Sequence, residues 1–89
     1  LLGDDHALTL QSLAVRGRIN MEYGRYSAAQ RDLRIGLAAL EKTSGKDDQS
    51  TLPARAYLAN SLVRLGSFEE AHALHLENLR LRRIRYGAS

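Results

Sequence analysis

The chain has 89 residues, no cysteine, no tryptophan and one proline, with 13 Lys and Arg against 10 Asp and Glu for a net charge of +3. That length allows one small domain whose core removes only about 60–65% of the unfolded chain's surface from water. Without cysteine, disulfide frameworks, thiolate metal sites and cysteine nucleophiles are excluded. No uncharged apolar run approaches the ~18 residues of a membrane span, and the start of the chain carries no signal-peptide pattern. The expectation is therefore a cytoplasmic protein with no membrane partner. The chain opens on Leu1, which we read as a fragment or processed piece of a longer protein.

The chain repeats itself. An offset of 42 positions brings Gly3, Asp5, Thr9, Leu10, Ala14, Gly24, Ala29 and Leu37 onto Gly45, Asp47, Thr51, Leu52, Ala56, Gly66, Ala71 and Leu79, and Gly45 recurs as Gly87. Self-similarity of this kind marks a stack of equivalent units. In chain order, a first helix is predicted over about 7–23, with Leu10, Leu13, Ala14, Gly17 and Met21 at helical spacing. Asp4 and Asp5 precede it, where acids suit the positive end of the dipole, and Gly24 stops it. A second helix follows over about 27–42, striped by Leu33, Leu37 and Leu40, with Ser27 and Gln30 as a capping box. Residues 43–49 are polar and turn-like. The third helix spans about 50–65, with Pro53 in its opening turn and Leu58, Ala59, Leu62 and Leu65 as its buried face. Gly66 ends it. Ser67 and Glu70 then form an S-x-x-E capping box for a fourth helix over about 67–86, whose apolar positions include Ala71, Leu74, Leu79 and Leu81. No strand pattern competes. The reading is all-α, one module over 1–89, with one unit at about 3–44 and the next at about 45–86.

Gly3-Asp4-Asp5-His6 with Thr9-Leu10, followed by Gly24-Arg25-Tyr26 and Ala29, resembles the kinesin-light-chain type of tetratricopeptide repeat. Leu58-Ala59, Leu62, Gly66, Phe68 and Ala71 are similar to the general tetratricopeptide pattern. The resemblance implies two helix-turn-helix hairpins stacked as an α-solenoid fragment. Small residues at Gly17, Ala29, Ala59 and Ala71 would let paired helices approach closely, while Tyr26 and Phe68 would fill the gap between hairpins. Arg16, Asn20, His75 and Asn78 depart from it, standing where that family carries apolar residues. Ala7 stands for its linker proline, and Asp48 for His6 in the second unit.

The resemblance also implies a function: a scaffold without catalysis that holds a peptide or protein partner on a concave groove lined by the first helix of each unit. Carried over by position, the groove would include Gln11, Ala14, Arg18 and Glu22, then Ala56, Asn60, Val63 and Arg64. The Asn60 amide could donate to and accept from a peptide backbone at once, and Arg18 and Arg64 could meet carboxylates. Arg80, Arg82, Arg83 and Arg85 form a basic cluster in the last eleven residues, which hold no acid, and the rest of the chain is close to neutral. They offset the dipole of a helix C-terminus; a weaker alternative is an acidic partner or nucleic acid bound there. A third alternative is self-association through the unit ends. His72 and His75 fall short of the ligand count a metal needs, and no glycine pattern or nucleophile context supports phosphate or covalent chemistry. No cofactor, metal or catalytic residue is expected.

Overall fold

The computed structural model describes residues 2–87, with side chains described from residue 9 onward. It holds four α-helices, α1 (Leu2–Glu22), α2 (Tyr26–Ser44), α3 (Thr51–Arg64) and α4 (Phe68–Tyr86), and no strand among the described residues. Consecutive helices pack on one another, and α1 also touches α3, so the hairpin α1–α2 is stacked on the hairpin α3–α4.

Turn chemistry makes the hairpins. Gly24 and Gly66 have φ of 76° and 88°, a region that costs glycine no Cβ clash. The Gly24 N–H donates to Met21 (3.1 Å) and the Arg25 N–H to Asn20 (2.9 Å); the Gly66 N–H donates to Val63 (3.1 Å) and the Ser67 N–H to Leu62 (2.8 Å). Both turns are thus Schellman motifs. α2 and α4 end in another way, with the N–H of Gly45 and Gly87 donating to the carbonyls of Glu41 and Arg83. Two kinds of turn alternate, each recurring after the sequence offset of 42.

The core lies between the hairpins. Ala29, Leu33, Leu37 and Leu40 of α2 meet Ala54, Leu58, Ala59 and Leu62 of α3, joined by Ala71 of α4. Each leucine taken from water here contributes about 1.5–3 kcal/mol. α1 approaches α2 where side chains are missing. A Cβ on Gly17 would stand 2.5 Å from Leu33 Cγ, and one on Gly36 would stand 2.4 Å from the backbone nitrogen of Ala14.

Two buried polar centres complete the packing. Asp32 is 2% exposed and accepts Nε and Nη2 of Arg16, each at 2.9 Å, and Nδ2 of Asn20 at 3.0 Å. Arg55 is 1% exposed; it donates to Glu41 (2.6 Å), Asn78 (2.8 Å) and the Lys46 carbonyl (3.1 Å), and Asn78 in turn donates to the Leu52 carbonyl. Arg16, Asn20 and Asn78, polar where apolar residues were anticipated, are therefore paired rather than disruptive.

Several local expectations are corrected. α1 begins at Leu2, so Gly3–His6, expected to precede the first helix, are helical in their backbone; the side chains of Asp4, Asp5 and His6 lie outside the described residues. The matching segment after Gly45 turns because the Asp48 carboxylate accepts the N–H and hydroxyl of Ser50 at 2.9 and 2.7 Å, a local bond that competes with helix. His6 offers no carboxylate there. Neither capping box forms: the N-cap of α2 is Arg25, which places Ser27 inside the helix, and Ser67 caps α4 without a side-chain bond. Glu70 instead receives Arg34 at 2.6 and 2.9 Å, the stronger charged partner. Leu65, Leu79 and Phe68 are exposed, not buried. Leu65 lies past the last turn of α3, while Phe68 and Leu79 fall on a side of α4 that no described element covers.

Candidate functional site

α1 and α3 lie side by side, and a groove of about 410 Å³ opens between them, with Gln11, Val15 and Arg18 on one wall, Pro53 and Tyr57 on the other, and Leu40 of α2 at its base. Gln11 and Val15 are one helical turn apart, and Arg18 is a turn further on, so all three share a face. The Gln11 amide donates to the Thr43 hydroxyl, which ties the groove wall to the end of α2. Ala14 also lines the groove.

A second concavity, about 640 Å³, is lined by Met21, Asn60, Val63 and Arg64. Tyr57 precedes Asn60 by three residues, so α3 carries one face from the first groove into the second. The Asn60 amide is exposed and bonded to no described residue. The Arg64 guanidinium sits 5.7 Å from the centre of the Tyr26 ring, a cation–π arrangement that orients it. Val63 is 42% exposed. The anticipated groove residues are thus divided between two hollows. Gln11 and Arg18 belong to the first, and Asn60, Val63 and Arg64 to the second. Glu22 lines neither; it accepts Arg18 at 3.4 Å across one turn of α1, so Arg18 has an acid of its own chain at hand. Ala56 is half-buried on α3 and lines neither hollow.

Val15, Leu40, Pro53, Tyr57 and Met21 were missed by sequence reasoning. Val15 and Tyr57 were within reach of it, since each lies three residues before a predicted groove residue. Leu40 belongs to the other helix of its hairpin and was assigned to the core.

The arginine cluster does not form one patch. Arg80 is held bidentately by Glu77 at 3.0 and 2.8 Å, and its guanidinium keeps the Glu77 carboxyl below the usual carboxylate range. Arg85 reaches Asp47 of the α2–α3 linker at 3.2 Å and lies over the Tyr86 ring. The lack of acids in the last eleven residues was therefore misleading, since Glu77 stands just before them and Asp47 comes from the linker. Arg82 and Arg83 remain exposed and without a partner among the described residues. His72 and His75 are both exposed on α4, and among the described residues no three potential metal ligands converge. No described helix is long and apolar enough to cross a membrane.

Comparison of the chain with protein-family models, with curated proteins and with solved structures finds no match.

Proposed function

We propose that this chain is a non-catalytic interaction module of tetratricopeptide type, which binds a peptide or protein segment along the α1–α3 face. The observation that carries the reading is the order of surfaces on that face. A mainly apolar groove between Val15 and Tyr57 is continued along α3 by a polar hollow in which the Asn60 amide has no partner among the described residues. An extended segment laid across both would place an apolar side chain beside Tyr57 and offer its backbone to Asn60. Apolar burial supplies affinity there and the paired amide supplies register. The recurring turns support the assignment, since they set α1 and α3 as equivalent first helices of two hairpins.

Selection of a displayed random-peptide library on the immobilised 89-residue chain tests this. Enriched peptides are expected to lose roughly tenfold in affinity on Asn60→Ala, the scale of one hydrogen bond left unmade, and more on Tyr57→Ala. Peptides bound equally by both variants would place the binding face elsewhere, and failure to enrich any peptide would defeat the proposal.

A further inference from the structure

The α1–α3 face carries two arginines in different states. Arg18 lines the first groove and Arg64 the second hollow, and among the described residues no acid lines either. Arg18 is answered from within the chain, since Glu22, one turn further along α1, accepts it at 3.4 Å. Asp48, beside the first groove, is taken up by the N–H and hydroxyl of Ser50. Arg64 meets no carboxylate among the described residues. Glu22 stands 42 residues before it, at the equivalent place on α1, but turns to Arg18 instead. The Arg64 guanidinium rests over the Tyr26 ring, 5.7 Å from its centre. An aromatic face attracts a cation without neutralising it. The group is therefore held in place with its N–H donors left for a ligand.

Helix geometry fixes the distance between the apolar and the charged part of this face. Tyr57, on the wall of the first groove, and Arg64 are seven residues apart on α3. That separation is two turns and about 10 Å along the axis. Asn60 lies between them on the same side. An extended chain advances about 3.3 Å per residue, so about three residues lead from one place to the other.

We infer that Arg64 sets the specificity of this face: the segment bound there carries an Asp or Glu about three residues from the apolar side chain seated beside Tyr57. This rests on the binding proposed for the α1–α3 face and adds the chemistry of what it takes. An acid placed at Arg18 gains little, because Glu22 already pairs that arginine. An acid placed at Arg64 gains charge-assisted hydrogen bonds from a guanidinium with no competing carboxylate. A basic side chain at the same place meets like charge, with no acid on the lining to receive it. The two arginines are thus not interchangeable, and the free one fixes the register of the segment.

The test pans a displayed peptide library, one fixed leucine with random flanks, on the immobilised 89-residue chain. Asp and Glu are expected to be enriched at one position, about three residues from the leucine. A synthetic peptide of the enriched sequence should lose roughly fivefold in affinity when that acid becomes its amide, the upper range for a charge pair open to water. Moving the acid next to the leucine should lose as much. Arg64→Glu, checked for native helicity by circular dichroism, should replace the acid by Lys or Arg in the selected peptides. Arg64→Ala should abolish the preference while the leucine is still held, and Arg18→Ala should leave it in place. Peptides that weaken on Tyr57→Ala yet show no acidic position overturn the role of Arg64 and leave the binding face standing. A library that enriches nothing defeats both. An acidic preference spread over all positions, or one lost with Arg18 rather than Arg64, also overturns the inference.

Discussion

Thr51, the first residue of α3, is wholly buried, and its hydroxyl oxygen is the one buried side-chain polar atom among the described residues without a hydrogen-bond partner. An unsatisfied buried group costs about 1–3 kcal/mol. Thr51→Val removes it at nearly constant shape and is expected to raise stability by about 1 kcal/mol, read as a higher midpoint in urea. Gly36 works in the opposite sense. A Cβ there would meet backbone of α1, which cannot rotate aside, with Ala14 N at 2.4 Å and Ala14 Cα at 2.8 Å. Gly36→Ala should lower stability by about 1–3 kcal/mol in the same measurement, despite alanine's better helix propensity. The small residue at Gly17 was legible from repeat position. Gly36 was not, because nothing in α2 alone says that α1 crosses there.

At the scale of elements, the two hairpins solve one packing problem with different chemistry. Arg16, Asn20 and Asp32 of the first occupy the positions of Leu58, Leu62 and Leu74 in the second. Arg16→Leu alone leaves the buried Asp32 carboxylate without its main partner and is expected to lower the melting temperature. Changing all three to leucine places the second hairpin's residues at these positions and should recover much of that loss, since no unpaired carboxylate is left in the interior, Arg16 itself being exposed. Thermal melts of the single and triple variants decide this. Acid sensitivity follows from the same centre. Hydrogen bonds from Arg16 hold the Asp32 carboxyl below the usual range against the opposing pull of burial, with Asn20 and nearby positive charge assisting. Its native pKa lies below the unfolded value of about 3.9. The stabilisation is therefore fully present above that pH and is lost as pH falls through the native value. Melting temperature should drop below about pH 4, and less steeply in Asp32→Asn. Glu70, lowered by Arg34, adds a smaller effect of the same sign because both groups are half exposed.

At the scale of the whole molecule, Arg55 joins what the helices leave separate. Its guanidinium binds Glu41 of α2, the Lys46 carbonyl of the linker and Asn78 of α4 while its own backbone belongs to α3. In the first hairpin the same position is Leu13, which shows that the unit does not require arginine there; the junction between units does. Arg55→Leu strips three acceptors at once and is expected to cost about 3 kcal/mol. Amide exchange should show the loss concentrated in α3 and α4, with α1 and α2 less affected. Uniform loss across the four helices would instead mean that the hairpins unfold as one unit without this link.

Helix number, helix order and the glycine stops were readable before any tertiary information, because apolar period and turn chemistry act over a few neighbouring residues. Gly24 and Gly66 stop their helices for reasons contained in the turn itself. The expected caps failed although they are local patterns: Arg25 rather than Ser27 caps α2, and at Ser67 the box lost Glu70 to a cation 36 residues away in Arg34. Partners of buried charge were unreadable for the same reason: Asp32 meets Arg16 across 16 residues and Arg55 meets Asn78 across 23. So were the division of the concave face into two hollows and the exposure of Leu79 and Phe68. Local patterns decide which residues are helical and which side of each helix is apolar. How those sides are shared among neighbours, and which is left open, depends on how the helices cross, and that is set by the close approach at Gly17 and Gly36 together with the Arg55 junction.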